Sequence, residues 1–264
     1  MNNREKTLFV FEGADTEGKY VRKLEQNFMG NREAIKCVFD AEIYQLYRIM
    51  KTDPDLPVDI VSLLKSRNNE FAAALEGYER DSFAYIYLFF DYDGHSSLAD
   101  DSKIAEMLQF FDNETENGML YISYPMVEAI KHYTDLENFQ SLTVKCKRRN
   151  CPYIDNCDDS ERCLAEPHYK RFVADTCLPQ LNNTNAFTRQ VWQMLIHAHL
   201  CKMNYIVNGV FELPDRLQTQ SAIFSHQLDK YINKRCPEVA VLSAFPLYVL
   251  DYYGCDKLKT LLHY

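Results

Sequence analysis

The sequence predicts an α/β fold: a mostly parallel four-stranded sheet flanked by helices, followed by an α-helical second half. Three observations carry this. Strand-like and helix-like segments alternate up to Pro125. The strand-like runs are short and apolar on both faces, as in a sheet covered by helices on both sides. Beyond Pro125 the apolar spacing turns helical throughout.

Thr7 to Phe11 is a β-prone apolar run that closes at Glu12-Gly13. Thr16 to Met29 places Tyr20, Val21, Leu24 and Phe28 at helical spacing, with Thr16 as the expected N-cap. Ile35 to Asp40 reads as a second strand and Ile43 to Met50 as helix, ended by Asp53-Pro54-Asp55-Leu56-Pro57. Val58 to Lys65 and Asn69 to Tyr78 are further helix. Phe83 to Phe90 is the strongest strand, aromatic and β-branched, and ends at Asp91-Tyr92-Asp93-Gly94. A helix capped by Asp100 or Asp101 runs to Phe111, and Met119 to Ser123 is a fourth strand. The second half shows helical patterns over Val127 to Tyr133, Tyr169 to Leu178, Thr188 to Val207, Ser221 to Cys236 and Leu247 to His263, with no convincing strand. The expected division is residues 1–135 and 136–264.

The 264 residues carry 29 Lys and Arg against 38 Asp and Glu, a net charge of −9, which argues against a broad basic surface wrapping duplex nucleic acid. Metal ions would have to offset carboxylates at any local grip. No apolar run reaches the roughly 20 residues of a membrane span. Met1 to Lys6 leads directly into a strand rather than reading as a signal peptide, so a cytoplasmic location is expected. Nine cysteines, an odd count, then argue for thiols or a metal rather than a disulfide framework.

Ligands of parallel sheets bind beyond the carboxyl ends of the strands, and two strands here end in acidic residues. Asp91 and Asp93 flank one residue, so in extended backbone both face one side. With Glu12 at the end of the first strand, three carboxylates would meet at one edge. That set suits Mg²⁺, or Mn²⁺, a hard cation that assists phosphoryl transfer. The alternative for Asp91 and Asp93 alone is a turn, since Asp-x-Asp-Gly is an ordinary turn sequence.

Glu-Gly after the first strand and Asp-x-Asp after a later apolar strand resemble the Toprim domain shared by topoisomerases, DnaG-type primases and OLD-family nucleases. Glu12-Gly13-Ala14-Asp15-Thr16-Glu17-Gly18-Lys19-Tyr20 is similar to the opening of RloB-like Toprim proteins, which are linked to phage defence. Tyr124-Pro125-Met126-Val127-Glu128, with His132 following, is similar to their N-P-x-F-E segment, with Tyr124 in place of Asn and Val127 in place of Phe. The resemblance covers about residues 5 to 135. It implies a Toprim-like fold, Glu12 as general acid/base or metal ligand, Asp91 and Asp93 as Mg²⁺ ligands, and Glu17 and Glu128 as further acidic groups serving a second metal. Glu17 also fits as a carboxylate at a helix N-terminus and Glu128 as a surface residue. Lys19 is either a phosphate contact or a solvated helix lysine.

Cys146, Cys151, Cys157 and Cys163 fall in a polar insert at spacing C-x4-C-x5-C-x5-C. Thiols clustered without apolar neighbours suit structural Zn²⁺; an iron–sulfur cluster and free thiols are the alternatives. Lys147, Arg148 and Arg149 belong to the densest basic run of the chain, a nucleic-acid contact or a solvated loop. Cys37, Cys177, Cys201, Cys236 and Cys255 sit in apolar patterns and read as buried. The expected function is a Mg²⁺-dependent Toprim nuclease acting on DNA or RNA. No Walker A sequence occurs, so ATP-driven sensing would come from a partner ATPase. The rival is a catalytically degenerate Toprim module that docks to such a partner.

Overall fold

A computed structural model describes residues 6–13, 16–30, 34–52, 59–67, 69–146 and 168–262. The chain forms two compact units: Met1–Phe90 with Asp100–Tyr121, and Asp91–Ala99 with Ile122–Tyr264.

The first unit is built on a sheet of order β2-β1-β3-β5-β4, with β1 Thr7–Phe11, β2 Ala34–Val38, β3 Tyr85–Asp91, β4 Asp112–Asn113 and β5 Gly118–Ser123. β1 pairs in parallel with β2 on one side and β3 on the other, Phe11 lying opposite Val38 and Phe89. The sheet is mostly parallel, as expected, but has five strands rather than four. The extra strand is β4, two residues that fold back antiparallel on β5. So short a strand has no periodic signal of its own; its pairing is fixed by the tight turn before Gly118, whose φ is +117°. A side chain on Gly118 would collide with Leu88 and Ile86, so this glycine also lets β5 lie close to its neighbour.

Every residue of β1 is buried, and β3 is buried from Ile86 onward. Aromatics supply much of this core: Phe9, Phe11, Tyr87, Phe89 and Tyr121 form a chain of ring contacts across the strands, with centroids 5.4–6.3 Å apart. The flanking helices are α1 Glu17–Leu24, α2 Ile43–Met50, α3 Ile60–Arg67, α4 Asn69–Ala74 and α5 Asp101–Phe110. Asp100 caps α5, accepting from the Ser102 N–H at 3.0 Å, as its sequence position predicts. Thr16 occupies the N-cap position of α1 but its side chain makes no capping bond, because its backbone is already helical. The carboxylate of Glu17 reaches back instead, accepting from the Gly13 N–H at 3.2 Å.

The second unit is mainly helical: α6 Leu136–Ser141, α7 Tyr169–Thr176, α8 Arg189–Asn208, α9 Gln220–Gln227, α10 Ala244–Tyr253 and α11 Cys255–Leu261. The long apolar pattern after Leu247 is two helices, because Gly254 at φ +72° ends the first and caps the second. The expectation of no strand in this half is corrected. β6 Thr143–Lys145 and β7 Glu238–Ala240 pair antiparallel, and Tyr124 forms a further bridge with Leu242. Lys145 ends β6. It is buried and pairs with Glu238 at 2.9 Å, while Thr143 donates to the same carboxylate at 2.7 Å.

α8 is the core of this unit, with Trp192, Leu195, Ile196, Leu200, Met203 and Ile206 buried. Gln227 holds β7 in place through its amide, donating to the Ala240 carbonyl at 2.8 Å and accepting from its N–H at 3.0 Å. Among the described residues no helix is long and apolar enough to cross a membrane.

Candidate functional site

β1 and β3 run parallel, so both deliver their last residues to the same edge of the sheet. Glu12 leaves β1 there with its N–H bonded to the Phe89 carbonyl at 3.1 Å, and its own carbonyl accepts from the Asp40 N–H at 3.0 Å. Glu12 is half-buried, Glu17 is buried and Lys19 is exposed. Glu17 therefore serves the Glu12-Gly13 turn at the start of α1, the role its helix-terminal position offered.

In the second unit, Asp91 and Asp93 are both buried, 6% and 8% exposed. The backbone that carries them is fixed on one side by the segment after β5. The Tyr92 N–H donates to the Ser123 carbonyl at 3.0 Å and the Asp93 N–H to the Pro125 carbonyl at 3.2 Å. Asp93 has φ +46°, a left-handed conformation uncommon for a residue with a side chain. The turn that follows is closed by the Ser96 N–H on the Asp93 carbonyl at 2.8 Å. Exposed His95 lies 3.9 Å from Asp93 Oδ1 through Nδ1.

The segment that holds Asp93 leads directly into a 3₁₀ turn, Val127–Lys131, which carries Glu128. Glu128 is not the surface residue its position permitted. It is 3% exposed, and its Oε2 is buried with no hydrogen-bond partner. Among the described residues, its carboxylate meets the Lys170 cation, whose Nζ lies 4.0 Å from Oε1. Four residues on, His132 is also buried and shares a 2.9 Å hydrogen bond through Nδ1 with the Tyr169 hydroxyl. Burial first, and the charge of Lys202 second, hold the His132 imidazole down at about pKa 4, so it is neutral near pH 7.

Cys146 immediately follows β6 and is buried, its N–H bonded to the Pro237 carbonyl at 2.9 Å. Its sulfur rests on the Asp91-Tyr92-Asp93-Gly94 turn: a Cβ at Gly94 would lie 2.0 Å from Cys146 Sγ and 2.5 Å from the Tyr92 ring. Cys151, Cys157, Cys163, Lys147, Arg148 and Arg149 lie outside the described residues. Among the described residues, no group of three or more His, Cys, Asp or Glu side chains is assembled as a metal ion's ligands. Of the cysteines expected in cores, Cys37, Cys177 and Cys201 are buried, whereas Cys236 and Cys255 are half-exposed. Burial raises the Cys37 thiol to about 11 and that of Cys201 to about 12, so both are inert thiols.

Sequence spacing gave no sign of two contacts at this site, Cys146 against Gly94 and Lys170 against Glu128, because each joins residues tens of positions apart. It also gave no sign of Lys202. That side chain is fully buried and donates to the Phe139 carbonyl at 2.8 Å and to the Leu142 carbonyl, at the carboxyl end of α6. Its ammonium lies 4.7 Å from the Phe139 ring, and burial pushes its pKa well below the usual lysine range. His199 is wholly buried in the core, and burial, with the Lys202 charge, holds it near pKa 3.

No protein-family model, curated protein or solved structure matches the chain.

Proposed function

We propose that this chain is a Toprim-type, divalent-metal-dependent phosphodiesterase that cleaves nucleic acid, DNA or an RNA such as transfer RNA. Its setting would be prokaryotic anti-phage defence, beside a separate ATPase. The observation that carries the reading is Glu128, a carboxylate almost wholly withdrawn from water with one oxygen lacking any hydrogen bond, on the segment that fixes Asp93. An ionised carboxylate in such a place is costly unless a cation or donors compensate it. Carboxylate oxygens suit Mg²⁺ or Mn²⁺, and Mg²⁺ is commonly held by one or two carboxylates with water and substrate phosphates completing its shell. A ready-made three-ligand cage is therefore not required.

In this reading Asp91, Asp93 and Glu128 hold the metal, which when bound stabilises charge on the attacking and leaving oxygens. Glu12, at the carboxyl edge of β1, is the candidate general acid/base. Lys19, Lys147, Arg148 and Arg149 are candidate phosphate contacts. Glu17 is committed to the Gly13 N–H, which supports a positioning role over metal ligation. Cys146, Cys151, Cys157 and Cys163 are proposed as a structural Zn²⁺ site. Cys146 offers it a buried sulfur anchored on both its backbone and its Gly94 side.

The test is incubation with Mg²⁺ or Mn²⁺ and plasmid, single-stranded DNA or total RNA, comparing wild type with Asp91→Asn and Glu12→Ala. Metal-dependent cleavage abolished by both substitutions is expected. Cleavage that survives Asp91→Asn overturns the reading. The second reading, a catalytically degenerate module docking to an ATPase, is favoured by the lack of an assembled three-ligand group among the described residues. It requires a wild type with no metal-dependent cleavage that still binds the ATPase.

A further inference from the structure

The contact between Glu128 and Lys170 is unlike the pair formed by Lys145 and Glu238 in the same unit. Lys145 and Glu238 meet at 2.9 Å with the lysine 5% exposed. Lys170 stands 4.0 Å from Glu128 Oε1, and its side chain is 77% exposed while that of Glu128 is 4% exposed. Glu128 thus keeps its position in the interior while its counter-charge sits in water. A lysine this exposed is held weakly, since solvent screens the attraction and side-chain entropy opposes it. Oε2 stays without a donor. Among the described residues, the carboxylate is compensated on one oxygen by an exposed charge at 4.0 Å, and its other oxygen has no hydrogen-bond donor.

We propose that Lys170 is the resident counter-cation of Glu128, and that a divalent metal ion binds at this carboxylate by displacing it. This deepens, and rests on, the metal reading above. The exchange is one ammonium leaving to water and one hydrated dication arriving. Lys170 lies in the first turn of α7 and Glu128 on the 3₁₀ turn before His132, and the hydrogen bond between Tyr169 and His132 joins the same two elements. The lysine is consequently tethered beside the carboxylate even when its ammonium has swung away. It keeps the buried charge tolerable when metal is scarce and sets the concentration at which metal takes over. A unit charge about 5 Å from a dication in water-like surroundings weakens binding on the order of tenfold, and physiological salt reduces this to about threefold to fivefold.

The experiment is Mn²⁺ titration of the full chain, followed by electron paramagnetic resonance, for wild type, Lys170→Met, Lys170→Arg and Glu128→Gln. Lys170→Met is expected to bind Mn²⁺ about threefold to fivefold more tightly than wild type, with the gain shrinking as salt rises. Lys170→Arg should stay near wild type, and Glu128→Gln should bind more weakly. Unchanged or weaker binding by Lys170→Met, while wild type binds Mn²⁺ and Glu128→Gln weakens it, overturns the displacement and leaves the metal reading standing. A wild type that binds no Mn²⁺ overturns both. Loss of nucleic-acid binding by Lys170→Met, measured in Ca²⁺ and without tighter Mn²⁺ binding, would make Lys170 a phosphate contact and also overturn the displacement.

Discussion

Gly94 has no room for a side chain, and replacing it tests whether Cys146 holds the acidic turn. In Gly94→Ala the new methyl would lie 2.0 Å from Cys146 Sγ and 2.5 Å from Tyr92 Cε1. Ordinary contact begins near 3.5 Å, so one partner must move by about 1.5 Å. Neither moves freely. Cys146 is 5% exposed with its N–H on Pro237, and Tyr92 is 1% exposed with its N–H on Ser123. Overpacking of this kind costs about 1–3 kcal/mol, and two pinned neighbours place it in the upper half, about 2–3 kcal/mol. At about 2–4 °C per kcal/mol for a chain of this size, the melting temperature should fall by about 4–12 °C, read by circular dichroism or calorimetry. Adding Cys146→Gly should recover part of the loss, with a coupling of about 1–2 kcal/mol, because the sulfur is removed while Tyr92 remains. A Gly94→Ala protein melting within about 1 °C of wild type, or a double substitution that is strictly additive, would refute the contact.

The other expectations concern charge, hydrogen bonding and metal content. His132 and His199 titrate near 4 and 3 when folded, below the ordinary 6.5, so the unfolded chain binds more protons between these values. Stability should be full above pH 6.5 and fall on acidification by up to about 1.4 kcal/mol per pH unit for each histidine, and a urea midpoint that is flat from pH 7 to 4.5 would contradict this. Gln227→Ala strips both backbone partners from buried Ala240 and should cost about 2 kcal/mol in urea unfolding, whereas Gln227→Glu should cost less than Gln227→Ala if the accepting oxygen matters most. Glu238→Ala should cost roughly 2 kcal/mol by the same assay, since it removes the 2.9 Å carboxylate partner of buried Lys145, discounted because the glutamate is 23% exposed. Purified protein should carry about one zinc per chain by elemental analysis, lost in Cys151→Ser; metal-free protein would remove the case for a zinc site.

The parts of the fold legible in the sequence are those whose cause is local. β1, β3 and β5 are buried on both faces and therefore appear as unbroken apolar runs. Asp100 caps α5 because the cap is a contact two residues long. β4, β6 and β7 are two or three residues each and exist only through their partners, so no pattern precedes them. Thr16 and Asp100 look alike in sequence as N-cap candidates, yet Thr16 is already helical, and it is Glu17 that accepts from the Gly13 N–H. At the candidate site the acidic residues at strand ends were legible by position. The burial of Glu128, the burial of Lys145 and Lys202, and the seat of Cys146 were not. Charged residues are read as exposed by default, and only tertiary pairing overrides that.

The nine residues Asp91–Ala99 belong to the second unit although the chain on both sides of them belongs to the first. This has a consequence for synthesis. In synthesis the strands of the sheet are all present once β5 ends at Ser123. The Asp91–Ala99 excursion must wait, since the carbonyls of Ser123 and Pro125 that bond it, and the sulfur of Cys146 that covers Gly94, are made later. A fragment ending at residue 135 would retain the turn without Cys146, and one beginning at residue 136 would retain Cys146 without the turn. Each half therefore lacks one side of the contact between Cys146 and Gly94, and a cut at residue 135 removes the sulfur that packs on the acidic turn.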